Sequence, residues 1–277
     1  MAVLVCVAGD VMLDVLVATP GPMPPDDDTP ARVALGPGGQ AANVAAWVRH
    51  LGQPARLYGP RSRDAVGAVL DAQLLARGIE LAAEPGSTRS GVVVSLATGG
   101  TRTMASDPGD VAWISGRLAD PAWLSGAAWL HLSGYLLLRA PDPDVVRSVA
   151  RAARARGVRV SVDLSSAAMI DAYGAGELRA LVEDLEPAVV FGNAGEWRAL
   201  GVDPYGWGPD AVLKRGAQGC LFVRDGCATE LAVVPGDVRD VTGAGDALAA
   251  GYLVGGPERA MLAAAECVSQ TGAQPSL

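Results

Sequence analysis

Asp240-Val-Thr-Gly-Ala-Gly-Asp246 sets two carboxylates around three small residues. Gly243, Ala244 and Gly245 open a helical pattern that runs through Ala247-Leu-Ala-Ala-Gly-Tyr-Leu253, so their amides stand at the positive end of a helix with no bulky side chain in front of them. That is the chemistry of an oxyanion or phosphate cradle. Asp246, in the first turn, is placed to take a proton from a hydroxyl as it attacks a phosphoryl group. A glycine-rich turn followed by an aspartate at a favourable helix start reads equally well, and the segment alone does not separate the two.

A second constellation is Gly36-Pro-Gly-Gly-Gln-Ala-Ala-Asn43. Gly38 and Gly39 let the backbone approach a ligand closely, and Ala41, Ala45 and Val48 give the following helix a core face that ends near Gly52. Asn43 falls one turn into that helix, where its carboxamide can both donate to and accept from a polyol hydroxyl; a solvated helix-start asparagine is the plainer alternative.

Other routes to a phosphate site are closed. Lys214 is the single lysine in the chain, and there is no Gly-x-x-x-x-Gly-Lys-Ser/Thr loop. The lysine, His-Arg-Asp and Asp-Phe-Gly set of protein kinases is also missing. Gly9-Asp10 after the first apolar run is not a Gly-x-Gly-x-x-Gly fingerprint, which removes the best support for a nicotinamide-binding fold.

The elements that must hold these residues alternate between short apolar runs and helical patterns. Residues 1–8, 128–132, 158–163, 188–191 and 211–214 read as buried strands, and Pro143–Arg156 reads as an amphipathic helix capped by Gly157. This rhythm predicts a mostly parallel sheet covered by helices on both faces, with ligands beyond the carboxyl ends of the strands. Residues 29–35 and 91–104 break it. They read as strands of a separate small antiparallel sheet, the second a hairpin about Thr98-Gly99-Gly100, and such an insertion suits either a lid or an ordinary edge hairpin. Pro20–Pro30 is a local loop.

The chain of 277 residues, half of them hydrophobic, is long enough for one large domain. Its net charge of −8, without a basic and aromatic patch, argues against nucleic acid as a partner. Cys6, Cys220, Cys227 and Cys267 form no Cys-x-x-Cys pair, and with only His50 and His131 available they read as reduced thiols of a cytoplasmic protein rather than zinc ligands. The apolar start lacks a basic segment and meets Asp10 and Asp14 early, against a signal peptide. The uncharged run 121–138 carries Pro, Gly, Ser and His, against a membrane span.

Taken together, these residues resemble the ribokinase-like (PfkB) carbohydrate kinase family across nearly the whole chain. Gly38-Gly39-Gln-Ala-Ala-Asn43 is similar to its amino-terminal signature, and Asp240-Val-Thr-Gly-Ala-Gly-Asp246 to its carboxyl-terminal one. The resemblance implies a three-layer α/β/α sandwich with a mostly parallel central sheet and a small β-sheet lid, in one kinase domain (1–277) with lid strands inserted at about 15–36 and 88–106. It implies ATP-dependent transfer of the γ-phosphate to a hydroxyl of a sugar or sugar-like molecule, with Asp246 as base and Gly243, Ala244 and Gly245 as anion hole. Asp14, Gly38, Gly39 and Asn43 would bind substrate; Asn193, Glu196, Gly216 and Gly219 would border the nucleotide. Glu196 would organise Mg²⁺ through water, and Asp240 with the Thr242 carbonyl falls where some relatives bind a monovalent cation such as K⁺. In many members the lids pair into a dimer.

Two segments depart from the family's pattern. Gly59-Pro-Arg-Ser-Arg-Asp64-Ala-Val-Gly67 has Arg61 and Ser62 in place of a glycine, and Asp163-Leu-Ser-Ser replaces Asp-Pro-Asn-x-Arg in a way closer to nucleoside-kinase-like members. The chain also ends soon after the helix that follows Asp246. A nucleoside kinase is therefore the second reading and a non-catalytic binding relative the third. Met12, Arg32, Val33, Val92 and Arg102 are the expected pocket and lid residues.

Overall fold

Apolar runs bounded by glycine, proline and aspartate become the strands of two sheets. The computed structural model describes residues 2–276 apart from 99, 100, 112 and 116. In chain order the elements are β1 (Val5–Ala8), β2 (Met12–Thr19), β3 (Arg32–Gly38), α1 (Gln40–His50), β4 (Ala55–Tyr58), α2 (Ala65–Ala76), β5 (Glu80–Leu81), β6 (Gly91–Thr98), β7 (Thr101–Asp107) and β8 (Trp129–Ser133). There follow α3 (Gly134–Arg139), α4 (Pro143–Arg154), β9 (Arg159–Asp163), α5 (Ala167–Tyr173), α6 (Ala175–Asp184), β10 (Val189–Asn193), α7 (Ala194–Leu200), β11 (Asp210–Lys214), β12 (Cys220–Arg224), β13 (Cys227–Leu231), α8 (Ala244–Gly255) and α9 (Pro257–Val268).

The large sheet runs β13-β12-β11-β10-β9-β8-β1-β4-β5, parallel from β11 through β5 with an antiparallel hairpin, β12 and β13, at one edge. Its central strands are apolar on both sides because helices cover both faces. Val146, Val149 and Ala153 of α4 pack on Val160 and Val162 on one face. Trp47 of α1 packs with Leu248 and Ala249 of α8 on the other. The sequence foresaw these layers, although β10 continues to Asn193 and α4 stops at Arg154, short of the residues expected. The described residues contain no helix long and apolar enough to cross a membrane.

The small sheet runs β3-β2-β6-β7 and needs two corrections. The strand expected at 29–35 begins only at Arg32, beyond Pro30, whose missing N–H suits it poorly to a ladder, and it continues to Gly38. Pro37 is accommodated because β3 is an edge strand. The sheet is also not purely antiparallel, since β2, which starts at Met12, ahead of the small-sheet strands expected from about residue 15, pairs parallel with β6. The turn foreseen at Thr98-Gly99-Gly100 and the side chain of Arg102 lie outside the described residues.

Register decides which residues of the small sheet look inward. Asp14 and Leu16 of β2 share one face with Ala34 and Arg32 of β3; Val15 and Val17 share the other with Leu35 and Val33 and with Val94 and Leu96 of β6. The Leu16 side chain approaches Gly272 of the main body, which marks the first face as the inner one. Val33 and Val92 therefore lie on the outer face and do not line a pocket beside Asp14, whereas Arg32 stays on the inner face. A strand alternates strictly, so a residue's class says nothing about its side until the register is known.

Candidate active site

Each inner parallel strand hands a polar residue to the same edge of the sheet. Asp10 follows β1, and Ser133, Asp163, Asn193 and Lys214 close β8, β9, β10 and β11. Only there does a side chain leave the apolar layers on both faces, so this edge is where polar chemistry collects.

The helix α8 begins over that edge. Its N-cap, Gly243, has φ 77° and ψ −1°, and a Cβ on it would lie 2.6 Å from the Cα and carbonyl oxygen of Ala273, so glycine is needed for both conformation and space. Ala244, Gly245 and Asp246 form the first turn; Ala244 N donates to the Val241 carbonyl at 3.3 Å, while no backbone acceptor among the described residues takes the N–H of Gly245 or Asp246. Upstream, Asp240 Oδ1 accepts from Thr242 N at 2.9 Å and Thr242 Oγ1 at 2.6 Å, and its Oδ2 accepts from Gly272 N at 3.0 Å. Asp240 thus ties the loop before α8 to the loop after α9. The Cys267 thiol donates to the Thr242 carbonyl at 3.3 Å.

Asp246 is half-buried, and its Oδ2 accepts from Asn43 Nδ2 at 2.8 Å. Burial pushes its carboxyl up to about 8; the Asn43 hydrogen bond opposes this, the nearby Asp163 adds to it and Lys214 opposes it again. A carboxyl tuned into that range suits a general base working near neutral pH. Asn43 is itself buried, so it is not a solvated helix-start residue. Its carboxamide oxygen accepts from Gln274 Nε2 at 3.2 Å, so the side chain bridges Asp246 and the carboxyl-terminal segment.

The glycine pair before α1 is equally constrained. A Cβ on Gly38 would collide with the Asp14 carboxyl, and Gly39, at φ 89°, would meet the Asp10 backbone carbonyl at 2.6 Å. Asp14 and the Gly38-Gly39 turn are therefore neighbours. At the next strand end Asn193 and Glu196 form a capping box for α7. Asn193 Oδ1 accepts from the amides of Gly195 and Glu196, while the Glu196 carboxylate accepts from Asn193 N and Nδ2, each at 2.7 Å. Burial raises the Glu196 carboxyl above its ordinary range. Gly216 and Gly219 bracket a short 3₁₀ turn between β11 and β12, both with positive φ.

Sequence reasoning missed several partners. Asp10 accepts from Ser133 Oγ at 3.0 Å and from Gln40 N at 3.0 Å, and the Gln40 carboxamide oxygen accepts from both Ser133 Oγ and Ser165 Oγ at 2.6 Å. Lys214 Nζ donates to Asp163 Oδ1 at 3.0 Å and Oδ2 at 2.8 Å. The signal for each was its position one residue inside or beyond the end of an apolar run, which motif matching does not weigh. The departure at Arg61 and Ser62 also finds its use. Arg61 pairs with Asp71 at 2.7 Å, and Asp64 caps α2 and binds Ser90 N at 2.9 Å. Against the cost of burial, amides from Ser90 and Gly67 hold the Asp64 carboxyl down at about 2.

The model of the pfkB family carbohydrate kinases matches residues 2–276. The chain belongs to this family. It is accordingly a phosphotransferase that acts on a hydroxyl group of a small molecule. The fold agrees with solved kinases. Adenosine kinase from Sinorhizobium meliloti superposes with a TM-score of 0.86 at 22% identity, with 100% of this chain and 97% of that one covered. An uncharacterized sugar kinase from Pyrococcus horikoshii in complex with ATP gives 0.81 at 21%, covering 97% and 93%. Phosphofructokinase-2 from Escherichia coli in complex with potassium gives 0.79 at 19%, covering 99% and 95%.

Proposed function

We propose that this pfkB kinase transfers the γ-phosphate of ATP to a hydroxyl of a sugar or sugar-like molecule with Asp246 as general base. One observation carries the reading. A carboxyl that burial lifts to about 8 sits in the first turn of α8, beside the Gly245 amide, which no backbone acceptor among the described residues takes. Asp246 takes the acceptor's proton, and the amides of Gly243, Ala244 and Gly245 stabilise the charge of the transferring group. Asp14 and the Gly38-Gly39 turn hold the acceptor. Asn43 contributes by holding Asp246 rather than by reaching the acceptor alone. Asn193, Glu196, Gly216 and Gly219 border the nucleotide.

Among the described residues no group of three or more metal-ligating side chains is assembled, which fits Mg²⁺ arriving on the ATP phosphates and keeping most of its waters. Glu196, both of whose oxygens are engaged by Asn193, would reach it through water. Bound there, Mg²⁺ would neutralise phosphate charge. A monovalent cation is placed by this reading at Asp240 and the Thr242 carbonyl, which the loop before α8 brings together.

The small sheet is proposed as a lid that excludes water and so favours transfer over hydrolysis. On its outer face Val33 and Leu35 are 60% and 57% exposed, in rows with Val15, Val17, Val94 and Leu96. A patch of this kind on a twisted sheet suits a second copy of the same face. Light scattering is expected to give a dimer, reduced to monomer by Val33→Glu with Leu35→Lys; a wild-type monomer at micromolar concentration would remove this part of the proposal. The ATP supply and the four free thiols favour a cytoplasmic site of action.

A nucleoside acceptor is the second reading. Asp10, Trp113, Tyr135 and Arg139 line one small cavity at the sheet edge; the Arg139 guanidinium lies over the Tyr135 ring, 4.9 Å from its centre, which leaves Trp113 as the ring against which a base would stack. The likeness to an adenosine kinase points the same way. A panel of sugars, sugar phosphates and nucleosides, followed by ADP release and by mass of the product, is expected to single out one class with an added phosphate. Turnover of nucleosides alone would replace the sugar reading, and ligand binding with no phosphorylated product would leave only a binding protein.

A further inference from the structure

The chain's single lysine is spent at one place. Every other formal cation is an arginine, yet Lys214 closes β11, reaches past the end of β10 and lands on Asp163 at the end of β9. Its side chain is 15% exposed and that of Asp163 1%. Burial works against the ammonium, but Asp163 and Glu196 outweigh it and hold Lys214 above its ordinary value. Asp246 faces the same charge, while His131, kept neutral by burial that holds it down to about 4, adds none.

We propose that Lys214 is a positioning residue for phosphoryl transfer: anchored on Asp163, its ammonium forms a cationic floor under the anion hole at Gly243–Gly245. Two observations carry this. Nζ lies 3.4 Å from where a Cβ of Gly245 would stand, directly against the first turn of α8. Of its three N–H groups two are spent on Asp163 Oδ1 and Oδ2, and the third has no protein acceptor among the described residues, a half-buried donor left for something that arrives. A structural ion pair explains this poorly, since apolar residues of similar volume commonly replace such pairs without loss. What an apolar pair would not supply is a positive charge facing a polyanion among Asp163, Glu196 and Asp246. A lysine fits this task better than an arginine, because a compact ammonium can keep two bonds to a carboxylate and turn the third N–H elsewhere.

The inference rests on reading Gly243–Gly245 as the anion hole, and its test separates the two. Lys214→Met is compared with the neutral pair Asp163→Asn/Lys214→Met, which removes the stranded carboxylate. Lys214→Met is expected to lower kcat about a hundredfold with little change in acceptor KM, and to lower Tm. In the double variant Tm recovers while kcat stays low. Recovery of kcat together with Tm, or a kcat for Lys214→Met within about threefold of wild type, would overturn the proposal. Calorimetry of ATP and of ADP, which needs no turnover, is the second readout. Both variants are expected to lose about tenfold in ATP affinity relative to ADP, and an unchanged ratio counts against the floor even if the wild type phosphorylated nothing. Wild-type turnover with an unchanged ratio and unchanged kcat would therefore sink this proposal alone.

Discussion

Asp246→Asn is expected to lower kcat about a thousandfold while leaving ATP binding within a few-fold of wild type. The change is nearly isosteric and keeps an acceptor oxygen for Asn43 Nδ2, so the α8 cap and the Asn43–Gln274 bridge survive; only the ability to take a proton is lost. Wild-type kcat/KM should rise with pH and level off above an apparent pKa of about 8, the value to which burial lifts the free enzyme's carboxyl. The residual activity of the asparagine variant should lack that limb. Stability runs the other way. Between the ordinary carboxylate range and about pH 8 the unfolded chain gives up this proton and the folded one keeps it, so the wild type loses stability as pH rises through that window. The variant should therefore be at least as stable as wild type at pH 8, a site that trades stability for function. A variant with near-normal kcat, or one whose Tm at pH 8 drops by many degrees, would mean that Asp246 is a structural residue.

The sequence exposed the layers of this protein because each depends on local pattern. The 3.6-residue spacing of Val146, Val149 and Ala153 puts one face of α4 on the sheet wherever that helix lies, and the alternating Val158, Val160 and Val162 mark a strand with a covered face. The two signature turns were legible for the same reason: Gly39 and Gly243 need positive φ and empty space, and only glycine meets both demands. What stayed hidden depends on register and on chain crossings. The start of β2 ahead of residue 15 is obscured by Asp14, and Val33 reads as a pocket residue though its parity puts it on the outer face. The polar network of Asp10, Gln40, Ser133 and Ser165 joins four segments widely separated in sequence, and nothing local in any of them names the other three. Lys214 was counted for what its solitude excluded, and the ion pair that gives it a use appears only when β9, β10 and β11 stand side by side.

Gly243→Ala carries the other large expected effect, because at this residue the anion hole and the carboxyl-terminal segment occupy the same space. At φ 77° an L-residue costs roughly 1–2 kcal/mol, and the added methyl meets Ala273 backbone at 2.6 Å, an overpacking that costs a further ~1–3 kcal/mol. Ala273 cannot retreat freely: its carbonyl accepts from Trp47 Nε1 at 2.9 Å, and the neighbouring Gln274 holds Asn43, which holds Asp246. The strain is therefore relieved by moving the first turn of α8, and with it the amides of Ala244 and Gly245. Loss of one aligned donor in such a site is worth a factor of about 10²–10³ in kcat. The control is Gly201→Ala, which has the same left-handed backbone at φ 71° after α7 but open space around it and no connection to Asp246. Its Tm should fall by the strain alone and its kcat should be that of wild type. If Gly243→Ala loses no more activity than Gly201→Ala once both are assayed well below their Tm, the α8 start is a structural turn and the charge of the transferring phosphate is met elsewhere.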